Sequence, residues 1–197
     1  SLPLPVALSI QIAVLQGLSE AHNQAPPIIH RDISPDNILL SYDDAESRAL
    51  LSDFGLAQSV DQMSGIAAAA GKYLYLAPEC FWGTYLPASD VFSAGVVLYR
   101  MLTGSYPWNF DFDGLSENDQ ASMTTMITKA QKSLPQPPSL YNEDSSENLD
   151  RITLKALAKQ PGDRYLNACE FLEDLLVEQK NILGVMDKHE QVSDLYY

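Results

Sequence analysis

A chain of 197 residues with 46% hydrophobic and 19% charged side chains has the balance of one globular domain with a real core, not of a disordered polypeptide. Its formal net charge of −14 argues against nucleic acid or an anionic membrane as partner, since both would repel it. That charge reads first as a solubilising surface and second as one complementary to basic peptide substrates or a basic partner. The two cysteines, Cys80 and Cys169, lie far apart and fit no metal-ligand spacing, so they read as reduced thiols of a cytoplasmic protein.

Pro3-Leu4-Pro5 reads as a connector into a helix from Val6 to His22, in which Ala7, Ile10, Val14, Leu18 and Ala21 form one apolar stripe and Leu8, Ile12 and Leu15 widen it. The apolar stretch Val6 to Leu18 is interrupted by Ser9, Gln11 and Gln16 and lacks the basic leader of a signal peptide. It reads as too short and too polar to span a bilayer. Ile38-Leu39-Leu40 and Ala49-Leu50-Leu51, joined by the polar turn Tyr42 to Arg48, carry a hairpin signature. Gln58 to Gly71, with four consecutive alanines, offers no core of its own and is expected to be a mobile loop.

Ser89 or Asp90 is expected to cap a helix running to about Thr103, with Gly104 as its stop. Val91, Phe92, Ala94, Val96, Val97, Leu98, Met101 and Leu102 cover most of its circumference, which places it at the centre of the domain. Asn109 to Gln120 and Pro135 to Ser146 read as loops. Three further helices are expected over Ala121 to Lys132, Leu149 to Lys159 and Leu166 to about Asn181, before a polar tail that ends at Tyr197.

The chemistry-bearing residues fall in a fixed order. His30-Arg31-Asp32-Ile33-Ser34-Pro35-Asp36-Asn37 precedes the first strand, and Asp53-Phe54-Gly55 follows the second. Ala77-Pro78-Glu79, Asp90-Val91-Phe92-Ser93-Ala94-Gly95-Val96 and Leu157-Ala158-Lys159-Gln160-Pro161-Gly162-Asp163-Arg164 come next. Any one of these has an ordinary structural explanation, such as a turn aspartate or a helix cap. Together and in register, they resemble the catalytic loop, magnesium motif, activation-segment terminus, central-helix signature and final conserved arginine of eukaryotic-like serine/threonine protein kinases of bacterial type.

The resemblance covers nearly the whole chain and implies a mainly α fold. That fold is the larger, carboxy-terminal kinase lobe over residues 1–181, a helical bundle with a small hairpin carrying the catalytic and magnesium loops, with a tail over 182–197. It implies transfer of the γ-phosphate of ATP to serine or threonine hydroxyls of a protein substrate, with magnesium ions. By the same resemblance Asp32 takes the hydroxyl proton, Asn37 and Asp53 hold magnesium, and Leu39 forms the floor under the adenine. His30 and Phe54 would stack in the column tying the catalytic loop to the central helix, with Gly55 completing the magnesium motif. Asp90 would accept hydrogen bonds from the catalytic-loop backbone. Glu79 and Arg164 would form a buried ion pair, and Arg31 would meet a phosphorylated loop residue, for which Ser64 is favoured over Ser59, with activation without loop phosphorylation as the equal alternative.

Two positions depart from the family's pattern. Ser34 stands where a lysine usually contacts the transferred phosphate, and Lys72 stands where a threonine usually bonds the catalytic aspartate. An exchange of hydroxyl and ammonium is expected, Ser34 orienting Asp32 while Lys72 neutralises the phosphate. The family's small lobe is absent from the sequence: no glycine-rich loop, strand lysine or helix glutamate precedes the first helix. The chain is therefore expected to be a fragment, inactive alone, with the small lobe of the same kinase as its missing partner and self-association through the exposed lobe face. The competing expectations are a pseudokinase or scaffold, against which the intact Asp32, Asn37 and Asp53 argue, and a small-molecule phosphotransferase of similar fold.

Overall fold

The computed structural model describes residues 1–43, 46–54, 71–111 and 119–193. Five α-helices among these residues are arranged around one buried helix, and a single antiparallel hairpin lies beside the first. Helix α1 spans Leu4–His22 and starts two residues before the expected Val6, because Pro5 sits in its first turn, where a missing N–H breaks no intrahelical bond. Ala7, Leu8, Val14, Leu15 and Leu18 are at most 1% exposed, so the stripe read from the sequence is the buried face. At 19 residues and mean hydropathy 1.3, α1 passes the length and polarity test for a membrane span, contrary to the sequence-based expectation. Its apolar surface is instead packed within the protein's core.

Strands β1 (Ile38–Asp43) and β2 (Glu46–Leu51) pair antiparallel, with Ile38 opposite Leu51 and Leu40 opposite Ala49. The two strands are longer than the two apolar triplets suggested because the polar residues between them also pair. Helix α2 covers Pro87–Thr103. It begins earlier than a Ser89 or Asp90 cap requires, since Pro87 is a favourable first residue; Ser89 still serves the helix start, its hydroxyl accepting the Leu86 backbone N–H at 3.1 Å, while Asp90 bonds elsewhere. Gly104 stops it with φ 79°, the left-handed conformation that glycine adopts without a Cβ penalty.

Helices α3 (Gln120–Ala130), α4 (Glu147–Ala156) and α5 (Ala168–Ser193) complete the bundle. Asp119 and Ser146 cap α3 and α4 by accepting the backbone N–H groups of Ser122 and Leu149. The last helix runs twelve residues past the expected end near Asn181, because the apolar Ile182-Leu183-Gly184-Val185-Met186 continues it and no proline follows to break it.

Nearly every side chain of α2 is buried, and Val91, Ala94, Val96, Leu98 and Leu102 are fully enclosed. Phe92 stacks on Trp108 at 5.7 Å, and Tyr165 on Phe171 at 5.0 Å, closing the core on two sides. Gln11 of α1 donates to the carbonyl of Ala94 at 3.1 Å, a polar tie inside this apolar contact. Both cysteines are free thiols, and burial pushes Cys80 up to about 12.

Among the described glycines the least room for a side chain is at Gly95, where an added Cβ would lie 2.9 Å from the Ala156 Cβ and 3.3 Å from Leu157 Cδ2. Alanine gains about 1 kcal/mol over glycine in helix propensity, but overpacking a tight core costs about 1–3 kcal/mol. Gly95→Ala is therefore expected to be a net loss of about 1 kcal/mol. A lowered urea midpoint, read from the fluorescence of the buried Trp108, checks it.

Candidate active site

The hairpin brings together residues sixteen apart in sequence. Beyond the Ile38–Leu51 pair, Ser52 donates its backbone N–H to the Asn37 carbonyl at 2.9 Å and its hydroxyl to the same oxygen at 3.2 Å. Asn37 and Asp53 consequently stand at one end of the sheet. Asp53 has φ 60° and Arg31 φ 69°, both in the left-handed region that side chains avoid. Two such residues flanking one site store of order 1–3 kcal/mol each, and they persist because the surrounding contacts hold them.

For Arg31 those contacts come from Asp90. One carboxylate oxygen of Asp90 accepts the His30 N–H at 2.7 Å and the other accepts the Arg31 N–H at 2.9 Å. Asp90 is 2% exposed and lies in the first turn of α2, where the helix dipole also favours negative charge. Both are charge-assisted hydrogen bonds. His30 donates from Nε2 to the Ser52 carbonyl at 2.7 Å, which joins the catalytic loop to the residue before Asp53. Its ring meets Phe54 edge-on at 4.8 Å, while Phe54 itself is 42% exposed.

Asp32 is held from two sides. Lys72 Nζ approaches Asp32 Oδ2 at 2.5 Å, and Asn37 Nδ2 donates to that oxygen at 3.0 Å and to the Asp32 backbone carbonyl at 2.6 Å. The ion pair is partly open, with side-chain exposures of 28% for Lys72 and 35% for Asp32. Ser34 does not take part. Proline at 35 confines it to extended backbone (φ −154°, ψ 165°), and its hydroxyl is buried with no hydrogen-bond partner among the described residues. The orientation of Asp32 expected from Ser34 is made here by Asn37 and Lys72.

Both amide hydrogens of Asn37 are used on Asp32, which leaves Oδ1 with no donor among the described residues. That oxygen and the exposed Asp53 carboxylate are hard ligands of the kind a magnesium ion takes. No group of three or more His, Cys, Asp or Glu side chains that could hold a metal ion occurs among the described residues. Leu39 is 54% exposed on β1, an apolar surface available to a flat ligand. Gly55, Ser59 and Ser64 lie outside the described residues. Arg31 extends over the ring of Tyr85 at 5.2 Å.

Away from the reacting groups, Arg164 Nη1 and Nη2 donate to the two Glu79 oxygens at 2.7 and 2.9 Å, a bidentate pair. Arg164 is 3% exposed and also donates to the carbonyls of Ala88, Ala158 and Lys159. Ser89 donates to Glu79 Oε1 at 2.7 Å. Burial alone would raise the Glu79 carboxyl, but the Arg164 hydrogen bonds and charge, with Ser89, outweigh it and hold it below the ordinary value of 4.5.

Several participants carried no sequence signal. Ser52 and Tyr85 act through contacts that only the folded chain makes, and the bond from Ser89, expected only as a helix cap, to Glu79 is another such contact. His22 also escaped notice, although a polar residue ending a strongly apolar helix was a detectable cue.

A protein kinase domain model matches residues 4–177. A probable serine/threonine-protein kinase of Clostridium perfringens is 37% identical over 179 residues, which is 89% of this chain and 24% of that protein. The serine/threonine-protein kinase PknB of Mycobacterium leprae is 36% identical over 180 residues, 88% of this chain and 26% of the relative. The tyrosine-protein kinase MasK of Myxococcus xanthus is 35% identical over 198 residues, 93% of this chain and 28% of the relative. This chain belongs to the protein kinase family, whose members use ATP and magnesium, and it spans 24% to 28% of the length of these curated relatives.

Breaking the Glu79–Arg164 pair leaves a buried guanidinium uncompensated, so Glu79→Gln is expected to destabilise the fold by about 3–5 kcal/mol. The depressed carboxyl contributes stability that is complete above pH 4.5, its ordinary value, and is lost as pH falls through the lower folded value. Urea denaturation of both proteins between neutral and acid pH checks this, with the difference between them narrowing in acid.

Proposed function

We propose that this segment is the catalytic half of a serine/threonine protein kinase, and that the full-length protein transfers the γ-phosphate of ATP to protein hydroxyls. The observation that carries the reading is the grip of Lys72 and Asn37 on Asp32, beside Asp53 at the end of the hairpin. With Oδ2 of Asp32 occupied by two donors, Oδ1 is the oxygen left to orient a substrate hydroxyl and accept its proton. Lys72 supplies positive charge within one hydrogen bond of that base, and in the complex it neutralises the transferring phosphoryl group. Asn37 Oδ1 and Asp53 are the residues that would hold magnesium, which when bound neutralises the nucleotide phosphates. The exposed Leu39 would support the adenine.

The acidic balance of the chain, −14 in formal charge, favours basic segments of substrate proteins. Preference for serine and threonine rests on the Ile33-Ser34-Pro35 sequence and on the names of two of the three relatives described above. The full-length protein is further proposed to act in the cytoplasm, on the grounds of its two free thiols.

Radiolabelled ATP with magnesium and a generic basic protein tests this on the full-length protein, followed by phosphoamino-acid analysis. Label on serine or threonine is expected, whereas label on tyrosine alone overturns the assigned specificity. Asp32→Ala is expected to lower the rate by about 10²–10⁴-fold, the usual contribution of a positioned base. Lys72→Met is expected to cost about 10²–10³-fold in kcat, as for loss of one preorganised charge donor. Near-wild-type turnover in Lys72→Met would remove that residue from the mechanism, and no label transfer by the wild-type protein would remove the enzyme reading itself.

A further inference from the structure

Helix α1 ends in His22, whose ring is buried and engaged on both edges. Ala168, the first residue of α5, donates its backbone N–H to His22 Nδ1 at 3.1 Å. A ring nitrogen that accepts a hydrogen bond carries no proton, so the proton of the neutral ring resides on Nε2. Nε2 in turn donates to Asp90 Oδ2 at 3.1 Å. That oxygen is the one that accepts the His30 N–H, and its twin accepts the Arg31 N–H.

One carboxylate therefore collects three donors from two places: the end of α1 and the two residues immediately before Asp32. Asp90 can present two oxygens to consecutive backbone N–H groups only in a narrow range of side-chain torsion. The imidazole restricts that torsion from the far side. Arg31 needs the restraint, because its φ of 69° is unfavourable for any side chain other than glycine's hydrogen. Relaxation of Arg31 to ordinary backbone would swing the next residue, Asp32, away from Lys72 and Asn37.

We propose that His22 is a positioning residue for phosphoryl transfer. It acts through Asp90, with its tautomer set by the start of α5, to hold Arg31 in its left-handed turn and so aim the Asp32 carboxylate. The proposal rests on the kinase reading and adds to it a residue that touches neither substrate nor metal site. It also makes the first turn of α5 part of the catalytic apparatus, although Ala168 has no reactive group.

The test compares His22→Leu and His22→Gln in the full-length protein. Glutamine keeps a donor and an acceptor on one planar group, as imidazole does, whereas leucine keeps only volume. His22→Leu is expected to lower kcat roughly 10- to 100-fold, the effect of a small misplacement of a reacting group, with KM for ATP unchanged. His22→Gln is expected to restore most of the loss. Nitrogen-15 spectra of the wild-type imidazole are expected to show a protonated Nε2 and a bare Nδ1. Wild-type kcat in a folded His22→Leu overturns the proposal, as does a loss that glutamine does not restore and that simply follows a lower melting temperature. The opposite tautomer overturns it as well, and decides the matter if His22→Leu does not fold. A wild-type protein without activity defeats the kinase reading itself, while an active wild type beside an equally active His22→Leu defeats only the positioning role.

Discussion

Asp90 carries a charge into the centre of the molecule, at 2% exposure, and the arrangement of the site follows from how that charge is satisfied. Its donors are two backbone N–H groups of the catalytic loop and one imidazole, all within hydrogen-bonding distance. An unsatisfied carboxylate in such a place would cost several kcal/mol, so the loop is bound to the helix start as firmly as the carboxylate is buried. Because α2 is enclosed on nearly all sides, its first turn cannot drift, and the loop inherits that rigidity. A reacting group placed on a loop thereby gains the precision of a core helix.

The second anchor works by the same physics at the other end of the segment that follows the hairpin. Arg164 donates to both oxygens of Glu79 and to three backbone carbonyls, so every polar group of the pair is used. Its guanidinium also lies over the Phe92 ring at 4.7 Å, two residues along α2 from Asp90. The two anchors are thus neighbours on one helix. Lys72, seven residues before Glu79, reaches Asp32 from a segment whose far end is pinned. Residues 71–73 form a helical turn, and with Glu79 pinned that turn presents the Lys72 cation 2.5 Å from the Asp32 carboxylate.

The fold was largely legible in the sequence where periodicity was strong. The stripe of α1 and the all-round apolarity of α2 each predict burial, and each is buried. Boundaries were less legible, because Pro5 and Pro87 are good helix starters as well as connectors, and the run after Asn181 holds no proline and a Gly184 that the helix passes through. The reacting groups were legible as a set because Asp32, Asn37 and Asp53 occur in a fixed order with fixed spacing. Their hydrogen-bond partners were not. Whether Ser34 or Lys72 meets Asp32 depends on torsions around Pro35 and on the path of the chain into Gly71, neither of which local sequence sets.

The sequence alone determined which residue types stand on each side of the hairpin, which helix lies at the centre, and which family's order of motifs the chain carries. These follow from local spacing and from the free energy of burying apolar side chains, both of which are additive along a chain. Only the tertiary structure decided that Asn37 spends both amide hydrogens on Asp32, that Ser34 has no partner, and that His22 bridges α5 to Asp90 across 146 and 68 residues of sequence. Hydrogen bonds are directional and saturable, so a partner is chosen by the position of every competing donor and acceptor. That choice exists only once the helices have packed.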